Sequence, residues 1–153
     1  MTFTEIADYL EQRGWEPNLE DGTLSLDLRS SSVASGVVSV STEALEGGGM
    51  LLRFDLQLDL YVGEDLMAEV MMGVNLLNRQ LKVGTLYLEV GDEREDEDPD
   101  QEIFFVLGAR GGVLLASLDA DQLPLIERAL RTFEEEISAA LDSSLEVKQA
   151  IKA

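Results

Sequence analysis

The chain has 153 residues, 31 of them acidic and 11 basic, for a formal net charge of −20, and it contains no cysteine and no histidine. A phosphate backbone is held by Lys and Arg that neutralise it, so this balance argues against direct binding to nucleic acid or to an anionic membrane. Without cysteine there is no disulfide or thiolate chemistry, and a reducing cytoplasm is the expected compartment. Without histidine, Ser-His-Asp and Cys-His catalysis are impossible within the chain.

The hydrophobic share is 45%, too high for a disordered chain, and the length suits one domain over residues 1–142 with a tail or short helix over 143–153. No run approaches the roughly 20 apolar residues that span a bilayer. Met1 to Gly14 lacks the basic start and apolar centre of a secretory leader.

Thr2-Phe3-Thr4-Glu5 has the spacing of a capping box and opens a short helix through Ile6, Tyr9 and Leu10, which stops at Gly14. Trp15 follows as an apolar anchor. Asp21-Gly22 signals a hairpin between an extended piece (Trp15 to Leu19) and a strand from Thr23 to Leu28. A Ser-rich link (Ser30, Ser31, Ser32) leads to a strand from Gly36 to Ser41, and Glu46 to Gly49 forms a turn. Leu51 to Tyr61 is the cleanest strand. Leu52, Phe54, Leu56, Leu58 and Leu60 make one face, and Arg53, Asp55, Gln57, Asp59 and Tyr61 the other. Such alternation marks an antiparallel sheet with one covered and one wet face.

Glu64 to Val90 reads as a helix followed directly by a strand. Leu66, Val70, Val74, Leu77 and Leu81 share the core side at helical spacing, with Met67 close by. Met72 and Leu76 lie nearly opposite, with Gly73 beside them. This is either a wet face with stray apolar residues or a second packing surface. Arg79, Lys82 and then Gly84 end the helix, and Thr85 to Val90 alternates as a strand.

Asp92 to Asp100 is almost entirely carboxylate and reads as a solvated loop. Glu102 to Ala109 and Val113 to Leu118 are expected to pair across an Arg110-Gly111-Gly112 turn. Phe104 to Leu107 is apolar on both faces, which places that hairpin centrally. Asp119 with Gln122 opens a last long helix, carrying Leu123, Ile126, Leu130, Phe133, Ile137 and Leu141 as its stripe.

No reaction motif emerges. The glycines at 47–49 lack the Lys and Ser/Thr of a phosphate-binding loop. Asp96, Asp98 and Asp100 mimic the first ligands of an EF-hand. However, Gln101 replaces its glycine and Leu107 its final glutamate, which leaves no specific calcium site. Catalytic, cofactor and metal residues are therefore all expected to be none. Asp55 and Asp59 are the pair that a carboxylate-based enzyme would use.

The run Val74-Asn75-Leu76-Leu77-Asn78-Arg79-Gln80-Leu81-Lys82-Val83-Gly84-Thr85-Leu86-Tyr87-Leu88 resembles the YbjN family, as do Trp15 after the first helix and Leu118 to Leu123 before the last. The order of elements also resembles the type III secretion chaperone fold. The acidic insertion at 92–100 is longer than that pattern. The resemblance implies an α+β fold, an antiparallel sheet flanked by helices in the order α-β(3-4)-α-β(3)-α. It further implies a non-enzymatic, chaperone- or adaptor-like homodimer, linked to regulation and stress responses, that holds a client protein. Met72, Gly73 and Leu76 would face the dimer partner, and Arg53, Asp55, Gln57, Asp59 and Tyr61 the client. The charge suits a basic client, and a DNA-binding protein fits, although solubility or salt adaptation explains the same charge. A ligand- or metal-responsive regulatory module using the 92–100 carboxylates is the alternative.

Overall fold

A computed structural model describes residues 2–27, 36–91, 104–117 and 119–143, with the backbone alone for Asp59 and Leu60. The elements are α1 (Phe3–Gln12), β1 (Pro17–Glu20), β2 (Thr23–Asp27), β3 (Gly36–Ala44), β4 (Met50–Gly63), α2 (Met67–Asn78), β5 (Gly84–Val90), β6 (Phe104–Leu115), a 3-10 turn (Ala120–Gln122) and α3 (Leu123–Ser143). The six strands form one antiparallel sheet in the order β1-β2-β3-β4-β6-β5. This is the α+β arrangement expected from the sequence. The Ser30–Ser32 link, Leu28, the 92–100 acidic run, Leu118 and the 144–153 tail lie outside the described residues.

Local chemistry explains most boundaries. Thr2 Oγ1 accepts from the Glu5 amide (3.3 Å) and Glu5 Oε2 accepts from the Thr2 amide (2.8 Å), closing the capping box. Asp21 and Gly22 both have positive φ (50° and 77°), which matches the twist of a two-residue hairpin. Pro124 lies in the first turn of α3, where its missing N–H costs nothing.

The helices pack on one face of the sheet. Leu24, Leu26, Val38, Val40, Leu52, Phe54, Leu56 and Leu58 all point into this layer and are buried. They meet Ile6 and Leu10 of α1, Val70 and Val74 of α2, and Ile126, Leu130, Phe133, Ile137 and Leu141 of α3. Trp15 is 5% exposed and its Nε1–H donates to Glu127 Oε1 (3.2 Å), tying the exit of α1 to α3.

One segment departs from expectation. Residues 104–115 form a single strand between β4 and β5, and no turn occurs at Arg110-Gly111-Gly112. The apolar character of Phe104 to Leu107 did place this segment centrally, but the glycines serve packing and not reversal. Across the sheet, Phe54, Gly111 and Gly84 lie side by side in one row. Phe133 of α3 drops into the hollow that the two glycines leave, with its ring 5.6 Å from that of Phe54. A Cβ on Gly111 would stand 2.6 Å from Phe133 Cδ2 and 2.9 Å from the Val83 carbonyl. At Gly112 a Cβ would stand 2.6 Å from the Leu52 carbonyl. The second block of strands therefore numbers two among the described residues.

Gly111→Ala forces Phe133 out of its seat and is expected to cost about 1–3 kcal/mol of stability. Denaturant unfolding followed by Trp15 fluorescence measures it.

Candidate functional site

The opposite face of the sheet carries no helix among the described residues. Register places Arg53 beside Gly112, Asp55 beside Arg110 and Thr85, and Gln57 beside Gly108 and Tyr87. β4 then gains two residues against β6 between Gln57 and Tyr61, and the ladder resumes with Tyr61 opposite Val106. Arg53, Asp55, Gln57 and Tyr61 thus share this outer face as the alternation implied. The Asp59 side chain lies outside the described ones.

At its centre is a network joining three strands. Tyr87 lies across Gly108, where a Cβ would stand 2.5 Å from its ring, and its hydroxyl donates to Asp55 Oδ1 (2.7 Å). Arg110 stacks 4.8 Å over the Tyr87 ring and lies 3.5 Å from both Asp55 and Glu89. Arg53 pairs separately with Glu43 (2.9 Å). These ion pairs are all about half-exposed or more open, so each contributes only about 0–1 kcal/mol. Their effect is orientation. They hold a flat aromatic plate and two guanidiniums in fixed positions on a surface whose carboxylates (Asp27, Glu43, Asp55, Glu89) outnumber them.

An open concavity of about 570 Å³ lies over this face, bordered by Ser41, Arg53, Asp55, Thr85 and Arg110 and floored by Gly111 and Gly112. A second, of about 260 Å³, lies between Tyr61, Tyr87 and Phe104. Tyr61 is 57% exposed and meets Phe104 edge-on at 5.3 Å. The sequence pointed to Asp55 and Tyr61 but not to Tyr87, Glu89, Arg110 or Gly108. A glycine inside an otherwise regular strand was the available signal, because it marks a close approach by another group.

The α2 strip divides. Met72 and Leu76 are exposed (68% and 59%), while Gly73 is buried with the core-facing side of the helix. Asn78 ends α2 with its side-chain amide on β5: Nδ2–H donates to the Leu86 carbonyl (3.1 Å) and Oδ1 accepts from the Leu86 amide (2.8 Å). Glu136 of α3 accepts from the Lys82 and Val83 amides (3.0 and 3.1 Å), fixing the turn between them.

Among the described residues, no three His, Cys, Asp or Glu side chains are grouped to hold a metal ion. Nor is any helix long and apolar enough to cross a membrane. The EF-hand-like aspartates fall outside the described residues.

A six-stranded antiparallel sheet with helices on one face and a fixed polar array on the other defines the α+β class. The chain belongs to the YbjN family, whose sequence profile, described as "Putative bacterial sensory transduction regulator", matches residues 2–146. The fold is similar to that in the "Crystal structure of YbjN, a putative transcription regulator from E. coli", with a TM-score of 0.52 and 11% identity over 93% of each chain. Comparison with curated proteins gives no match.

Burial, the hydrogen bond to Asp55 and the charges of Asp55 and Glu89 raise the Tyr87 phenol above its ordinary value, against a smaller opposing effect of Arg110. The folded chain therefore favours the neutral phenol. That contribution to stability is complete below about pH 10, where unfolded tyrosine titrates, and is lost as pH rises toward the higher folded value. Alkaline unfolding should accordingly be steeper for the unaltered chain than for Tyr87→Phe, with the two curves parallel at neutral pH.

Proposed function

We propose that this chain is a non-enzymatic regulator that acts by holding a basic partner protein against the outer face of its sheet. The observation that carries the reading is a sheet face bearing no helix among the described residues, with a pre-oriented aromatic and charged array, on a chain of net charge −20. Tyr and Arg held rigid lose little entropy on contact, and such residues dominate protein interfaces. The surrounding negative field speeds the approach of a cationic partner and repels nucleic acid. A DNA-binding protein is the partner class that this combination suits, which accords with the regulatory descriptions of the family and of the similar fold. The proposed role is therefore chaperone- or adaptor-like.

In the same reading the chain is a homodimer. Met72 and Leu76 form a two-residue apolar strip on the exposed side of α2, and Gly73 lies behind them. At micromolar concentration, sedimentation should give a dimer, and Leu76→Glu a monomer that remains folded.

Capture from a nuclease-treated extract, read by mass spectrometry, tests the main claim. A discrete basic protein is expected at low salt. Its retention should fall about tenfold between about 0.05 M and about 0.5 M salt. The double substitution Arg53→Ala and Tyr61→Ala should lose that protein while leaving the fold intact. Capture unaffected by both changes removes the outer face from the mechanism.

A further inference from the structure

Among the described residues β5 is the last strand of the sheet, and its outer edge is taken at one point only. The Leu86 amide and carbonyl both turn away from β6 and bond the side chain of Asn78, which presents a donor and an acceptor as a peptide group does. The register from Gly84 to Val90 is unbroken, so Leu88 and Val90 turn their amides and carbonyls outward in the same way. No described residue takes them. Alongside, α2 and β5 enclose a cleft of about 250 Å³ lined by Met67, Met71, Val74, Leu88 and Phe105. Backbone groups with free bonding capacity beside an apolar cleft are the two parts of a strand-addition site. Methionine lining lets such a cleft accept more than one apolar shape.

We infer that the α2–β5 groove receives an extended, basic segment of the partner protein, which adds as a seventh strand beside β5. The inference rests on the proposed reading that the partner is basic, and it adds a place and a mode of binding. Asn78 closes one end of the groove. Carboxylates surround it in the chain: Glu89 lies on β5 itself, and the exposed Glu64 and Asp65 precede α2. An added strand alternates its side chains, so its apolar residues enter the cleft, and the negative field of the chain favours lysine or arginine at the positions between. The groove uses the Met67–Met71–Asn78 side of α2, which leaves Met72 and Leu76 free for a second copy.

The test uses the full chain and two labelled octapeptides of equal charge, one alternating lysine with valine and one alternating lysine with serine. The lysine–valine peptide is expected to bind and to slow hydrogen exchange at the Leu88 and Val90 amides. The lysine–serine peptide should bind about tenfold more weakly. Met71 is 47% exposed and Val90 60%, so substitutions there leave the core intact. Met71→Glu adds negative charge, so capture by charge alone would hold or strengthen. Capture in the groove should weaken about tenfold. Val90→Pro removes one outward amide without breaking the ladder to β6 and should weaken binding likewise.

Equal binding of both peptides, or binding that survives Met71→Glu and Val90→Pro, overturns the groove and leaves the basic-partner reading standing. Failure of both peptides to bind also overturns the groove, and the basic-partner reading is then decided by the capture experiment alone. Loss of the dimer in Val90→Pro would assign the edge to a second copy and overturn the inference.

Discussion

Phe133 in the hollow between Gly84 and Gly111 is the contact on which the remaining architecture depends. Two adjacent strands give up their side chains in one row, and a single ring from α3 fills both places against Phe54. The fit is close on every side, with the Val83 carbonyl and Ile137 also within about a van der Waals contact of the glycines. Because α3 can seat its ring only there, its height and rotation on the sheet are set. Glu136, one turn further on, then reaches the Lys82 and Val83 amides and fixes the start of β5. Helix position, turn geometry and strand placement are one arrangement.

The same strand serves both faces with different glycines. Gly111 vacates the inner face for Phe133, and Gly108 vacates the outer face for Tyr87. Tyr87 can therefore cross β6 and reach Asp55 on β4, a contact no neighbouring-strand pair could make over a larger residue. β6 is thus a thin partition, and its lack of bulk lets an aromatic ring lie flat on each side. The inner ring contributes to stability through burial. The outer one is held by a hydrogen bond and a stacked guanidinium whose energetic return is small but whose orientation is definite.

Where information is local, the sequence carried it. The Thr2–Glu5 capping box, the Asp21-Gly22 hairpin, the stripe of α3 and the two faces of β4 depend on neighbours a few residues apart. What escaped depends on distant partners. Arg110-Gly111-Gly112 has the composition of a turn, but nothing local states that Phe133 will occupy the space the glycines leave, so the strand was split. Tyr87, Arg110 and Glu89 come from two strands that reach Asp55 only after β6 is inserted between β4 and β5, an order that chain sequence does not give. Asn78 was legible as part of a family pattern. Its role as a stand-in peptide on Leu86 appears only when α2 lies along β5. Gly73 was grouped with Met72 and Leu76 by proximity along the chain, yet its backbone faces the core.

The distribution of aromatic residues has a practical consequence for spectroscopy. The single tryptophan, Trp15, is enclosed between α1 and α3 beside Glu127, so its emission follows the inner layer. Two of the three tyrosines, Tyr61 and Tyr87, stand on the outer face, one exposed and one beneath Arg110. The indole therefore reports on the helical side alone. An event confined to the outer surface alters the Tyr61 and Tyr87 signals and leaves the indole unchanged, whereas loosening of the helices alters Trp15 together with Tyr9 of α1.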